Sequence, residues 1–252
     1  MEDPGTLWLL HWQLLAAPSR LPVWWLAFNE FNAVEFTGDD LEATTAIQLD
    51  AVAEWANPHP KSLKKDLSAF FRTYAPVERS PRTRIEDHLD CPLRELNLID
   101  RSVATGRYRF TLGPKASLPS AIVSYAVLDY VSRTGTGGNT VTLSRLAREP
   151  GAPGLAFRLA ETELRAALEP TLERTDALSL TTPTGAVQLA WSQDPATVAT
   201  TILDDYYGAS PTDVRAGCYG DQPIGDDLIE FLGLGRDPSE AVRQLHASAG
   251  AR

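Results

Sequence analysis

Four of the six tryptophans, Trp8, Trp12, Trp24 and Trp25, fall within the first 25 residues. Rings of that size need partner surface on most sides, so this stretch belongs at the centre of a core. Between Thr6 and Ala17, Leu7, Leu10 and Leu14 make one helical stripe, with Trp8, Trp12 and Leu15 beside it. An apolar face that wide marks a largely buried helix. Asp3-Pro4 reads as its start, a capping carboxylate followed by proline in the first turn. Pro18 and Pro22 break it, and a second helix follows with Trp24, Trp25, Phe28 and Phe31. Together they predict an amino-terminal helical hairpin, with the aromatic cluster as packing and His11 as a hydrogen-bonded core residue.

The patterning beyond the hairpin predicts further helices. Thr37 caps one running to about Trp55, and Asn57-Pro58-His59-Pro60 is a turn. A helix over 62–74 buries Leu63, Leu67, Phe70 and Phe71, and another runs from about Ile85 to Leu98. Arg107 to Leu112 alternates polar and apolar like a half-buried strand. Helix, turn, helix, then hairpin is the order of a winged-helix module, here with helices over 62–74 and 85–98 and a wing over 99–112. Further helices start near Leu118, Thr142, Glu161 and Asp194. Leu178-Ser179-Leu180 and Ala186 to Trp191 flank Pro183-Thr184-Gly185 as a second hairpin. The predicted class is mainly α with small β hairpins, α+β, built as winged-helix-like modules behind the amino-terminal hairpin. The predicted divisions are 1–116, 117–208 and a loosely packed tail over 209–252, where Gly, Pro, Asp and Ser dominate at first.

The net charge of −10 opposes nucleic-acid binding by the molecule as a whole. Its distribution does not. From Lys61 to Arg84 the chain carries Lys61, Lys64, Lys65, Arg72, Arg79, Arg82 and Arg84 against only Asp66 and Glu78. No apolar run approaches the roughly 20 residues of a membrane span. Glu2 and Asp3 stand where a secretory leader carries positive charge, and Cys91 and Cys218 lack zinc-like spacing. These features predict a cytoplasmic, reduced setting. Gly135-Thr136-Gly137-Gly138 has no following lysine, so no nucleotide-binding loop is expected.

Several separated motifs resemble one family. They are Glu2-Asp3-Pro4-Gly5-Thr6-Leu7-Trp8 through Leu14, Trp25-x-x-x-Asn29-x-Phe31, Leu63-Lys64-Lys65-Asp66 and Phe71-Arg72-Thr73-Tyr74. More specific are Glu86-Asp87, Leu89-Asp90-Cys91-Pro92-Leu93 and Glu95-Leu96-x-Leu98-Ile99. Tyr108-Arg109-Phe110, Gly113-Pro114-Lys115-x-Ser117-Leu118-Pro119, Glu149-Pro150-Gly151-x-Pro153-Gly154 and Asp204-x-Tyr206-Tyr207 complete the set. Over roughly 2–207 the chain resembles the SspB family. The resemblance implies a part in bacterial DNA phosphorothioation, with DNA nicking that opens the backbone for sulfur. It implies work beside a cysteine desulfurase, an ATP-using sulfotransfer protein and an ATPase. It also implies an upstream segment of helix-turn-helix character; the sequence given starts inside the family pattern.

Nicking a phosphodiester needs an in-line nucleophile and charge stabilisation, commonly from a divalent metal on carboxylates with a cation near the phosphate. Candidate carboxylates are Asp66, Glu86, Asp87, Asp90 and Glu95. On one helix Asp87 and Asp90, or Glu86 and Asp90, share a face. The expected metal ligands are Glu86, Asp87 and Asp90 around magnesium or manganese. Asp66 joins from the preceding helix and Lys115 reaches the phosphate, giving Asp66, Glu86, Asp87, Asp90 and Lys115 as the catalytic set. The alternative is that Glu86 or Asp87 caps its helix. His88 lies beside the acidic cluster, Cys91 reads as a small core residue, and Tyr74 reads as packed rather than nucleophilic. The expected DNA contacts are Lys64, Lys65, Arg72, Arg82 and Arg84, acting as non-specific phosphate attraction. The competing reading is a non-catalytic winged-helix module that binds DNA and recruits the modification enzymes, with a transcription regulator as its weaker variant.

Overall fold

The computed structural model describes residues 3–51, 59–76, 91–135, 137–183 and 185–208. The contacts group residues up to Tyr206 into one unit, and a second begins at Tyr207. The architecture is mostly helical with two small antiparallel sheets.

The amino-terminal hairpin forms as α1 (Pro4–Leu15) and α2 (Pro22–Asn29), each opened by its proline. Trp8, Trp12 and Phe28 are fully buried. Trp8 Nε1 donates to Ser117 Oγ at 3.2 Å, and Trp12 Nε1 donates to the Asp129 carboxylate at 2.8 Å. Those bonds match the two indole donors that burial removes from water.

Next come α3 (Gly38–Ala51) and α4 (Pro60–Tyr74). The Thr37 hydroxyl accepts from Asp40 N, and the Asp40 carboxylate accepts from Thr37 N, a reciprocal cap at the start of α3. The predicted helix over 85–98 does not run to Leu98. Cys91 is extended, a short 3-10 turn covers Pro92–Leu96, and Asn97 is left-handed at φ 50°. Pro92 biases Cys91 away from helical angles and offers no N–H to a preceding turn, which is why the helix cannot continue through it. Residues 77–90 lie outside the described residues.

Strands β1 (Ile99–Arg101) and β2 (Tyr108–Phe110) make the predicted hairpin. Phe36 extends it by pairing with Tyr108. Then follow α5 (Ser120–Thr134), β3 (Thr140–Thr142), α6 (Leu143–Arg148), α7 (Pro153–Phe157), α8 (Glu161–Leu172), β4 (Leu178–Thr181), β5 (Gln188–Trp191) and α9 (Pro195–Tyr207). The second sheet has strand order β3-β5-β4, antiparallel throughout.

One set of buried apolar residues runs from Trp8 to Ile202. Its first half is aromatic. Phe28 stands 5.3 Å from Tyr74, 5.8 Å from Phe70 and 5.3 Å from Phe110, ring centre to ring centre. Its second half is mainly aliphatic, with Tyr130, Phe157 and Trp191 among its buried rings, and closer in backbone. A Cβ on Gly154 would lie 2.4 Å from Ala147 Cα and 2.7 Å from its carbonyl oxygen, so α6 and α7 meet where only glycine fits. A comparable contact joins α1 to α9. Tyr206 lies over Gly5, and its hydroxyl donates to Asp3 Oδ1 at 2.6 Å.

Candidate nucleic-acid interface

The cationic face is built by α4. The His59 ring accepts from Lys61 N at 3.2 Å and Pro60 takes the first helical position, so the helix begins firmly. Leu63, Leu67, Phe70 and Tyr74 face inward at helical spacing. Lys61, Lys65 and Arg72 therefore fall within about 40° of one another on the opposite side. All three are exposed and form no ion pair with any described residue. Lys64 is turned towards α3, where its ammonium lies 3.7 Å from the Glu42 carboxylate. Asp66 is exposed on another flank of the same helix, and its carbonyl accepts from Trp24 Nε1 at 3.4 Å.

The β1–β2 hairpin is also rich in arginine, but its charge is spent internally. Arg107 pairs with Asp40 at 2.9 Å, and Arg109 pairs with Asp100 at 2.6 Å. The Thr37 bonds and then Arg107 hold the Asp40 carboxyl below its ordinary range, and the Arg109 bond and the Arg101 N–H do the same for Asp100. Arg101 donates to Gly106 O at 2.9 Å and lies over the Tyr108 ring. A hairpin matched in this way offers a phosphate little free charge.

Lys115 is half-buried beyond the hairpin. Its ammonium donates to the carbonyls of Gly113 at 2.7 Å and Thr111 at 3.0 Å. Burial and then the Arg158 charge lower its pKa, while Glu163 opposes them. No hydrogen bond or ion pair joins Lys115 to Asp66.

Arg158 carries no signal in the sequence. It is buried in the left-handed region at φ 57°. Its guanidinium stacks 3.7 Å from the Phe110 ring centre and donates to Ala27 O at 3.0 Å. Among the described residues no carboxylate pairs with it and its Nε has no acceptor, and burial pushes its pKa down to about 9. Its contacts with Ala27, Phe28 and Phe110 are the only trace a sequence could hold, and they are remote along the chain.

His11 is a bridge rather than a base. Its Nε2 donates to Ala156 O at 2.9 Å, so the tautomer leaves Nδ1 to accept from the Tyr74 hydroxyl at 2.8 Å. Burial is the main reason its pKa is pushed down to about 4, and burial raises that of Tyr74. A neutral, doubly bonded imidazole and an un-ionised phenol leave no nucleophile here.

Glu86, Asp87, Asp90, Arg82, Arg84 and His88 lie outside the described residues. Among the described residues no group of three His, Cys, Asp or Glu side chains could hold a metal. Asp66 and Glu95 are both exposed. An all-carboxylate donor set at 86, 87 and 90 has the oxygen chemistry a hard dication takes. Nor is any helix among the described residues long and apolar enough to cross a membrane.

Residues 1–207 match the family described as Protein of unknown function (DUF4007). The chain belongs to that family. No curated protein matches it. Two solved structures, described as "SspB crystal structure" and "Magnesium ion-bound SspB crystal structure", are each similar at 36% identity with a TM-score of 0.74. Each match covers 84% of this chain and 63% of the other, so the chain spans less than two thirds of those proteins' length. The SspB-like resemblance of the motifs thus extends to the fold.

Proposed function

We propose that this protein is a DNA-binding component of bacterial phosphorothioation that nicks the backbone ahead of sulfur incorporation. The observation that carries the reading is the row Lys61, Lys65 and Arg72 on α4, which forms no ion pair among the described residues, in a protein of net charge −10 whose Arg107 and Arg109 are already neutralised. Lys64, Arg82 and Arg84 extend the phosphate contacts. The SspB-like fold supports the pathway and its partners: a cysteine desulfurase, a sulfotransfer protein and an ATPase. The setting is the cytoplasm. The two helices-then-hairpin halves, 1–116 and 117–208, act as winged-helix-like modules around one shared core, followed by the 209–252 tail.

Glu86, Asp87 and Asp90 hold magnesium or manganese, which when bound stabilises the charge that develops on the cleaved phosphate. The magnesium-bound state of the similar SspB structure supports that choice. Asp66 flanks the site on α4. Lys115 serves as a phosphate cation once it releases the Thr111 and Gly113 carbonyls. The second reading, a non-catalytic module that recruits the modification enzymes, is favoured by the β3-β5-β4 strand order, which is that of a winged helix.

Relaxation of supercoiled plasmid with magnesium or manganese separates the two. Asp87→Ala and Asp90→Ala are expected to abolish nicking while folding and DNA affinity persist. Absence of nicking by the wild-type chain under both metals leaves the recruiting module. Nicking that survives all the carboxylate substitutions overturns the site but not the activity.

A further inference from the structure

The second half has the element order of a winged helix, in which the helix before the hairpin is the one that enters a DNA groove. Here that helix is α8, and its chemistry is wrong for DNA. Leu164, Leu168 and Thr171 are buried against the core. Thr162, Ala166, Glu169 and Glu173 then fall together on the outward side, within about 60° of one another. Glu161 and Glu163 add negative charge in the first turn. The single outward cation of the helix, Arg165, is held by Glu169 at 3.3 Å. Two phosphate rows would meet carboxylates along the whole helix.

Beside this face lies a cleft of about 480 Å³ between α8 and residues 114–120. It follows α8 for two turns, from Thr162 to Pro170, about 12 Å at 1.5 Å per residue. Leu118, Leu159, Ala167 and Pro170 give it an apolar floor. The Glu163 carboxylate lines it, and Oε2 of that carboxylate is buried with no hydrogen-bond donor among the described residues. Lys115 lines the same cleft but is committed to two carbonyls and makes no ion pair with Glu163. An unmatched carboxylate oxygen out of water is costly until a donor reaches it. Its lining carries one carboxylate, Glu163, and one ammonium, Lys115, over the apolar floor; with Lys115 held by two carbonyls, an occupant that satisfies the rest has to bring an apolar group and a cation together.

We infer that this cleft docks a segment of a partner protein carrying an apolar side chain next to an arginine or lysine. The apolar group rests on Leu118, Leu159 and Pro170. The cation donates to Glu163. Arginine suits the site best, because its fork matches a carboxylate in two places. The inference does not depend on DNA binding by α4, which packs on α2 and α3, whereas α8 packs on α5 and α6.

The test is a selection of random twelve-residue peptides displayed on phage, against the full chain, with counter-selection on Ala166→Arg. Arginine keeps helix propensity and fills the cleft. The expected result is a consensus with an apolar residue within four positions of Arg or Lys. The best peptide, made synthetically, should bind at least fivefold more weakly to Glu163→Gln and not detectably to Ala166→Arg. Both variants should melt within a few degrees of wild type and bind duplex DNA within twofold of it. The isosteric Glu163→Gln keeps the test decisive if Ala166→Arg fails to fold. No enriched sequence, an acidic consensus, or equal peptide binding by Glu163→Gln overturns the inference. A loss of duplex affinity in Ala166→Arg overturns it too, by assigning the cleft to nucleic acid.

Discussion

Helices α4 and α8 are surface helices of the two halves, and their outward faces are opposites. The outward row of α4 is Lys61, Lys65 and Arg72; that of α8 contains Glu169 and continues into Glu173 at its C-cap. Their surroundings differ as well. The inner face of α4 meets large rings, Phe28 and Trp24 among them, whereas the neighbourhood of α8 is aliphatic and the adjoining α6–α7 contact is backbone against backbone. The two helices therefore present opposite charge to whatever approaches them. Surface charge decides what each half meets, and the size of the packing groups decides how much change each half tolerates.

The largest effect should come from packing. Gly154→Ala forces a Cβ into the backbone of Ala147, and a loss of about 3 kcal/mol is expected, as for a severe overpacking change. Thermal unfolding should then begin about 6–12 °C lower for a chain of this size. Phe28→Leu, in the aromatic half, should cost only about 1–2 kcal/mol because neighbouring rings can shift into the space. Equal losses in the two variants would break the contrast in packing.

The contrast in charge comes next. Reversing Lys61, Lys65 and Arg72 to glutamate should weaken duplex binding on the order of 100-fold near physiological salt and flatten the salt dependence by about three phosphate contacts. Reversing Glu161, Glu169 and Glu173 to lysine should leave affinity unchanged or raise it. Fluorescence anisotropy against salt reads both. If the α4 change is silent, the two helices do not differ in function and the nucleic-acid assignment fails.

A smaller effect tests what ties the halves together. His11 on α1 bonds Tyr74 of α4 and Ala156 of α7, and it stays neutral because its folded pKa is about 4 against 6.5 unfolded. Between those values the unfolded chain binds the extra proton, so acid favours unfolding. The contribution is whole above pH 6.5 and is lost as pH falls towards 4. Chemical denaturation at pH 6.5 and pH 5 should differ by about 1.6 kcal/mol from this group in wild type, and by clearly less in His11→Gln. The depressed carboxyls Asp40, Asp100 and Asp194 act at lower pH, because their stabilising effect is lost only as they protonate.

Much of this was legible in the residues. The α4 pattern of Leu63, Leu67 and Phe70 predicts its buried side, and Thr142 and Asp194 cap α6 and α9 as their types suggest: each side chain accepts from an N–H three residues on. Two short elements were not legible. Pro150 to Gly154 reads as a turn because two prolines and two glycines crowd it, yet Pro153 opens the five-residue α7. Strand β3 is three residues long and exists only because β5 pairs with it. In the candidate site, clustering of positive charge in sequence did not reveal which cations stay free. Lys64 finds Glu42 on α3, a partner that tertiary packing alone supplies. Arg158 shows the limit most clearly, since the carbonyl that receives it belongs to Ala27.

The bond from Tyr206 to Asp3, with the ring resting on Gly5, gives the folded unit the connectivity of a nearly closed loop. A short linker from residue 207 back to residue 3 would complete the ring, and new ends could be opened at the exposed Gly137-Gly138 without cutting a helix. A circularly permuted protein of that design should keep the same core, because in this fold the order in which the chain visits its helices matters less than the seam that fastens the first to the last.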